Sequence, residues 1–370
     1  MAETSGGGGG GDVRWGIMGT GAIASDFVKV LRTLPGTTVA AVGSRTLARA
    51  SEFADALELE TSSTTALHGS YEALVADESL DVIYVATPSL RHVDDALACL
   101  AAGRAVVCEK SMAPSAAEAR RVLEAAAAAR LFFLHAVWSR FFPAMEELRA
   151  VIRSGAIGRV VSAHASFCQN DGAGACSATL ETGIYCAQFL LWVFEDAAPV
   201  VRGVAANRHP ASGHDQHVSA VLEFPCGGVG TLECSLMHAS PRAATICGTE
   251  GVITVPFPFW CPTRFTVQRM DGAASQRFGP VEAHEAPLPV LEGLGAAAAP
   301  AEAAAAPFNF VHSEGLAYEA REVNRCLREG LLEAPAFGAT ACLRVMQVIE
   351  DIRAHWQGAD AAAAAAGGTR

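Results

Sequence analysis

The sequence predicts an α/β chain of two domains: a doubly wound domain on a parallel sheet, then an α+β domain on a mostly antiparallel sheet. Three observations carry this. The chain has 370 residues, more than a single hydrophobic core usually serves. From Val13 to about residue 140, short apolar runs alternate with longer stretches of helical periodicity, the pattern of β-α-β units. From Arg159 onward, strand-like segments come in close succession instead, the pattern of an antiparallel sheet.

Taken in order, strands are expected at Val13–Met18, Val39–Gly43, Val82–Ala86, Ala105–Cys108 and Leu131–His135, with helices near 22–34, 46–57, 92–102 and 115–129. A further helix comes after Pro143. The second sheet is read in Val160–Phe167, Val200–Arg208, Val218–Phe224, Gly228–Cys234, Ala243–Cys247 and Gly251–Val255, interrupted by a helix from about Thr182 to Phe194. Helices return over Pro307–Gly330 and Ala339–Trp356, where they could pack back on the first domain. The domains are therefore set at 13–140 and 141–356. The Gly-rich residues 1–12, the Ala/Pro run 295–306 and the Ala-rich tail 357–370 hold almost nothing to bury, so two disordered tails and a surface insertion are expected.

Composition narrows the class. Hydrophobic residues make up 51% and charged residues 18%, which fits a soluble protein with substantial cores. A net charge of −12 opposes non-specific binding to nucleic acid or an anionic membrane. No stretch reaches the roughly 18 uncharged residues of a membrane span. Residues 1–12 lack the basic and apolar regions of a secretory peptide. Eleven cysteines without a CxxC pair suit reduced thiols in the cytoplasm, and no metal site is expected from their spacing.

The chemistry begins at Gly19-Thr20-Gly21-Ala22-Ile23-Ala24, between the first strand and an apolar-periodic helix. In that context a G-x-G-x-x-A run reads as a Rossmann dinucleotide site. Gly19 permits the tight turn, Gly21 lets backbone approach a pyrophosphate, and Ala24 lets the helix pack on the strand. At the end of the second strand, where an NAD-specific site places a carboxylate, the chain has Gly43-Ser44-Arg45-Thr46. Arg45 can stack on adenine and pair with a 2′-phosphate, with Ser44 and Thr46 adding hydrogen bonds, so NADP is favoured over NAD.

Strand ends of a parallel sheet face the ligand crevice, which directs attention to Ala86-Thr87-Pro88 and Cys108-Glu109-Lys110. The chain has only two lysines, Lys29 and Lys110, among 27 basic residues. A lysine at the crevice in so arginine-rich a chain points to proton chemistry that arginine cannot perform. Tyr185, one of four tyrosines, stands near the start of the helix within the second sheet and is the second acid–base candidate. Its pKa would fall beside an ammonium. A solvated or helix-capping role for His92 and core roles for Trp138 and Phe141 are the readings from these residues alone.

The motifs GTGAIA at 19–24, VATPSLRH at 85–92, CEK at 108–110, WSRFFP at 138–143, SGAIGRV at 154–160, GIYCAQF at 183–189, GTEG at 248–251, WCPT at 260–263 and YEA at 318–320 together resemble the Gfo/Idh/MocA oxidoreductase family, in particular its dihydrodiol and D-xylose dehydrogenase branch. The resemblance runs from about Val13 to Trp356. It implies a Rossmann domain plus an open, mostly antiparallel sheet whose exposed face serves a homodimer. It also implies NADP-dependent oxidation of a sugar or cyclic diol at a CH–OH group, or formally at CH–CH for the diol. Lys110 matches the family's catalytic lysine, Tyr185 its helix tyrosine, and Glu181 stands where an aspartate is usual. The implied cofactor contacts are Gly19, Thr20, Gly21, Ala22, Ile23, Ser44, Arg45, Thr46, Thr87, Pro88, His92, Glu109, Trp138 and Arg140. Three departures stand out: Ser111 replaces a proline, His135 a glutamate, and the 168–179 loop lacks an arginine-containing glycine run. A homologue that binds NADP without turnover is the reading from another class.

Overall fold

Short runs of buried apolar residues form the strands of the first sheet, and amphipathic helices cover them. This computed structural model describes residues 11–172, 174, 176–272, 277–292 and 308–367. In chain order the elements are β1 (Val13–Met18), α1 (Ala22–Leu31), β2 (Thr37–Gly43), α2 (Leu47–Ala56), β3 (Ala66–His68), α3 (Tyr71–Val75), β4 (Val82–Val85), α4 (His92–Ala101), β5 (Ala105–Glu109), α5 (Ala116–Ala129), β6 (Phe133–Ala136), α6 (Pro143–Arg153), β7 (Val160–Cys168), α7 (Ile184–Val193), β8 (Val200–Arg208), β9 (Asp215–Glu223), β10 (Val229–Ser235), β11 (Ala244–Gly248), β12 (Gly251–Val255), β13 (Arg264–Arg269), β14 (Glu282–Glu285), α8 (Leu316–Arg328) and α9 (Ala339–Gly367). They divide between two units. The first draws on Met1–Met112, Arg121–Ala136 and Pro289–Gly338, the second on Ala113–Arg120, Val137–Leu288 and Ala339–Arg370.

The first unit holds a parallel sheet in the order β3-β2-β1-β4-β5-β6. The order reverses between β1 and β4, and such a switch point opens a crevice at the carboxyl ends of the strands. β4 and β5 are buried throughout, as strands covered on both faces must be. α1 buries Ala24, Phe27, Val28 and Leu31, one face of the helix. Its Phe27 joins an aromatic column, edge-on to Trp15 at 5.3 Å and stacked on Tyr84 at 4.0 Å. Trp15 donates its indole N–H to Asn324 of α8 at 3.0 Å. Fully buried Asp26 accepts from Asn309 N and Nδ2, Phe310 N and Ser313 Oγ at 2.7 to 3.1 Å. That carboxylate ties the segment leading into α8 to α1.

The second unit is built on an eight-stranded sheet in the order β14-β13-β12-β11-β7-β10-β9-β8. Only β7 and β10 run parallel, so the sheet is mostly antiparallel. α7 packs on it with all ten residues buried, the composition of a helix apolar on every side.

Several elements escaped sequence reading. β3 and α3 are too short to show a period, although Ser70 caps α3 by accepting from Ala73 N at 3.1 Å. β13 alternates buried Phe265 and Val267 with more exposed neighbours, whereas β14 is a polar edge strand without an apolar signal. Helix is absent from 308–312, and α8 starts at Leu316 after a 3₁₀ turn. The tail after Trp356, expected as disordered, continues α9 to Gly367, which its alanines favour through their helix propensity. Residues 1–10, 293–307 and 368–370 lie outside the described residues, and with them most of the Gly-rich tail and the whole 295–306 insertion.

Replacing Asp26 by Ala leaves the buried Ser313 hydroxyl without its acceptor and removes the carboxylate that holds the more exposed Asn309 and Phe310 donors, hydrogen bonds to a charged group contributing about 1.5–3 kcal/mol each. Urea unfolding of Asp26→Ala should therefore show a loss of about 3 kcal/mol or more.

Candidate active site

At the end of β1 the chain turns through Gly19 at φ +106°, a conformation few residues other than glycine adopt. A Cβ there would lie 2.6 Å from Ala86 O, so the turn sits directly against the end of β4. Gly19 N donates to Gly43 O at 3.0 Å, which joins the same turn to the end of β2. Gly21 differs. Its backbone is extended, and a Cβ built on it meets nothing within 4 Å. No side chain caps α1, whose first N–H groups emerge beside that open space. Open room over Gly21 and an uncapped helix N-terminus fit a pyrophosphate.

Beside the turn, the Thr20 and Ser44 hydroxyls lie 3.2 Å apart, with Ser44 buried and Arg45 exposed. Thr46 caps α2 by accepting from Arg49 N at 3.3 Å. Arg45, Arg49 and Arg91 all bear on the Tyr71 hydroxyl electrostatically, and the Arg91 guanidinium stands 5.5 Å over the Tyr71 ring. The end of β2 thus carries positive charge and no carboxylate at 43–46.

Lys110 comes directly after β5, and its peptide bond to Ser111 is cis. Glu109 beside it is buried, accepting from Tyr84 Oη at 2.5 Å and Lys110 N at 3.0 Å. Burial pushes the Glu109 carboxyl up, against the downward pull of Tyr84, Lys110 and His92. Glu319 of α8 is wholly buried, and neither of its oxygens has a hydrogen-bond partner among the described residues. Burial, and then the charge of Glu109, hold its carboxyl well above the usual range. Two carboxyls thus interact electrostatically next to the candidate lysine.

In the second unit, Asp215 of β9 accepts from Ser177 Oγ at 2.6 Å, Thr179 N at 2.8 Å and Thr179 Oγ1 at 2.9 Å. It anchors a π-helical turn over Thr179–Gly183 that runs into α7 and contains Glu181. π-turns inside helices recur at functional sites. Tyr185 comes next, with its hydroxyl accepting from Trp138 Nε1 at 3.2 Å. Phe167 stacks on the Tyr185 ring at 5.6 Å and on Trp260 at 4.0 Å. A tyrosine hydroxyl in an aromatic wall results.

Residues 13–135 match the family described as "Oxidoreductase family, NAD-binding Rossmann fold", and residues 145–254 match the GFO/IDH/MocA C-terminal domain. Trans-1,2-dihydrobenzene-1,2-diol dehydrogenase of Bos taurus is 35% identical over 351 residues, covering 92% of this chain and 96% of its own length. The enzyme of that name from Homo sapiens is 36% identical over the same coverage. The chain belongs to the Gfo/Idh/MocA oxidoreductase family. Among solved structures, KijD10, a 3-ketoreductase from Actinomadura kijaniata in complex with NADP and TDP-benzene, superposes with a TM-score of 0.75 at 20% identity, covering 93% of this chain and 98% of its own. Levoglucosan dehydrogenase in complex with NADH and levoglucosan gives 0.75 at 19% identity, with coverage of 93% and 97%. They share the fold.

As a Gfo/Idh/MocA oxidoreductase, the chain carries the NAD(P)-binding Rossmann fold in its first unit. Several residues expected at the cofactor nevertheless have other partners. Arg140 is fully buried, donating to both oxygens of Asp196 at 2.9 and 3.1 Å and to Gln188 at 2.9 and 3.2 Å. It braces the second unit by joining the residues before α6 to α7 and to the turn that comes after it. His92 is buried with its ring nitrogens 2.7 Å from Thr87 O and 2.9 Å from Ser111 O. It ties the segments that come after β4 and β5 to each other. The Thr87 hydroxyl donates to Asp95 at 2.7 Å, which likewise turns it inward. Trp138 contacts Tyr185. Sequence reasoning missed Asp215, Tyr84 and Glu319, although a tyrosine within the apolar run Val82–Val85 and the carboxylate of the YEA motif were visible signals.

The two glycines should behave differently on substitution. Gly19→Ala forces a Cβ against Ala86 O and should cost about 2 kcal/mol or more. Gly21→Ala should leave the melting temperature near wild type while weakening dinucleotide binding about tenfold or more, as read by fluorescence titration.

His135 is buried, accepts from Met112 N at 3.3 Å, and is pushed down to about 3 by burial and His92. A depressed pKa contributes stability above the ordinary value of 6.5 and loses it as pH falls toward 3. Glu319 has the opposite sign, its contribution being lost as pH rises above the usual carboxylate range. Melting curves should show His135→Gln flattening the acid side of the profile, and Glu319→Gln gaining at pH 8 relative to wild type but not at pH 4.

Proposed function

We propose that the protein oxidises a ring hydroxyl of a cyclic diol or sugar, with NADP as the cofactor. The observation that carries this reading is the Tyr185 hydroxyl, hydrogen-bonded by Trp138 and set among Phe167 and Trp260. An aromatic wall suits the flat apolar face of a ring while a hydroxyl contacts its polar edge. The names of the Bos taurus and Homo sapiens relatives favour the trans-dihydrodiol over D-xylose. Arg45, with no carboxylate at 43–46, favours NADP over NAD.

Bound on the glycine turn, the nicotinamide dinucleotide supplies the hydride acceptor. Lys110 polarises the substrate oxygen, and Tyr185 exchanges its proton. The Trp138 N–H donates into the Tyr185 oxygen and so favours the phenolate when the proton leaves. Glu181 supports the same helix start. In this reading residues 13–140 are the NADP-binding domain and 141–356 the substrate and dimerisation domain.

The exposed face of the second sheet, where Val221, Thr231 and Glu233 border a depression of about 600 Å³, is the surface we assign to a homodimer. All eleven cysteines are free, which suits a reducing compartment such as the cytoplasm. Among the described residues no helix is long and apolar enough to cross a membrane.

The test is turnover of the purified full chain with NADP and with NAD against trans-dihydrodiols, D-xylose and other sugars. Lys110→Met should lower kcat by about 10²–10⁴ with little change in NADP affinity. Unchanged turnover in that variant sinks the role of Lys110, and tighter NAD binding rejects the cofactor preference. NADP binding without turnover of any substrate points to a regulatory homologue.

A further inference from the structure

Besides Tyr185 and its aromatic neighbours, the second sheet gathers four side chains of metal-binding type. Cys168 ends β7, His217 lies on β9, Glu233 on β10, and His238 in the loop that leaves β10. Strand register brings them together: Ser235 pairs with Cys168 on one side and with His217 on the other, two residues beyond Glu233. His238 arrives by a different route. Its loop is clamped to the end of β7, since Cys168 N donates to Ser240 Oγ at 3.1 Å and Ser240 N donates to Cys168 O at 3.2 Å.

We propose that Cys168, Glu233 and His238, with His217 as fourth ligand, form a binding site for a divalent cation of the zinc class. Donor atoms of the first three lie within 4.8 Å of one another. His217 Nε2 is 3.1 Å and His238 Nε2 3.6 Å from the same Glu233 oxygen, Oε1. Ligand atoms about 2.0–2.3 Å from a tetrahedral zinc ion stand roughly 3.3–3.6 Å apart, so side-chain rotations close Cys168, Glu233 and His238 on the ion, and His217 must swing away from Glu233 to complete the set. The two imidazole rings, at 5.1 Å and 85° to each other, approach the carboxylate from different directions instead of stacking.

The donor set selects the ion. One thiol, two imidazoles and one carboxylate suit zinc and poorly suit magnesium or calcium, which take oxygen ligands. Cys168 is buried while His238 is exposed, so the ion enters from the histidine side and meets the sulfur last. Binding displaces the thiol proton as the sulfur–metal bond forms. The ligands are scattered over 168, 217, 233 and 238 without a paired-cysteine spacing, which is why the sequence alone suggests no metal.

The test uses tag-free full-length protein, stripped with a chelator and titrated with Zn²⁺ in competition with a chromophoric chelator. One ion per chain is expected, and cobalt substitution should give a thiolate-to-metal charge-transfer band together with tetrahedral d–d bands. Cys168→Ser should abolish the charge-transfer band, and His238→Ala, a change on an exposed loop that leaves the fold intact, should weaken Zn²⁺ binding by about 100-fold or more. Loss of an outer-shell partner alone costs about 10–100-fold. Zinc binding that is absent in the wild type, or unaltered in His238→Ala, or a cobalt spectrum without the thiolate band overturns the assignment.

Discussion

Gly19 lies against the main chain of Ala86 so closely that no side chain fits between them, and its N–H is bonded to Gly43 O. This contact joins the ends of β1, β2 and β4. Because the strands are parallel, their carboxyl ends fall on one edge of the sheet, and the loop after each strand is delivered to the same place. Ser44 to Thr46 come after β2, Thr87 after β4, and Lys110 after β5. α1 begins uncapped at Gly21, so the field of its N-terminus opens onto that edge.

Beneath this edge the first unit buries ionisable groups that a stability-optimised core would avoid. Glu109 has partners in Tyr84 and Lys110 N, whereas Glu319 has none among the described residues and is held neutral by burial. His135, also buried, is held neutral from the other side of the scale. Perturbed groups of this kind collect at functional sites, where placement of charge matters more than the last increment of stability. Burial is the first cause of each of these shifts.

The second unit reaches its chemistry through a different constraint. Asp215 takes up donors at 177 and 179, and the π-turn beyond them alters the rotation at which α7 begins. Tyr185 therefore emerges with its hydroxyl on Trp138 and its ring on Phe167. Arg140 serves the same scaffold, its charge satisfied by Asp196 and its plane 4.9 Å from the Trp192 ring.

Local pattern and composition were enough for the alternating strands and helices from Val13, the glycine turn, the missing carboxylate after β2 and the rarity of lysine that drew attention to Lys110. These rest on period, turn chemistry and residue choice, all written locally. Short or polar elements such as β3, α3 and β14 carry too little period to be read. The partners of individual side chains were likewise out of reach: Arg140 and His92 look like ligand contacts in a motif, and only folding joins one to Asp196 and Gln188 and the other to two main-chain carbonyls. Glu319 becomes a carboxyl without a hydrogen-bond partner among the described residues only because α8 packs into the first unit beside α1, and Cys168, His217, Glu233 and His238 meet only through strand register and the loop after β10. Sequence determined which chemistry the chain carries; tertiary structure decided which groups meet, because proximity between distant residues is set by sheet order and burial and not by spacing along the chain.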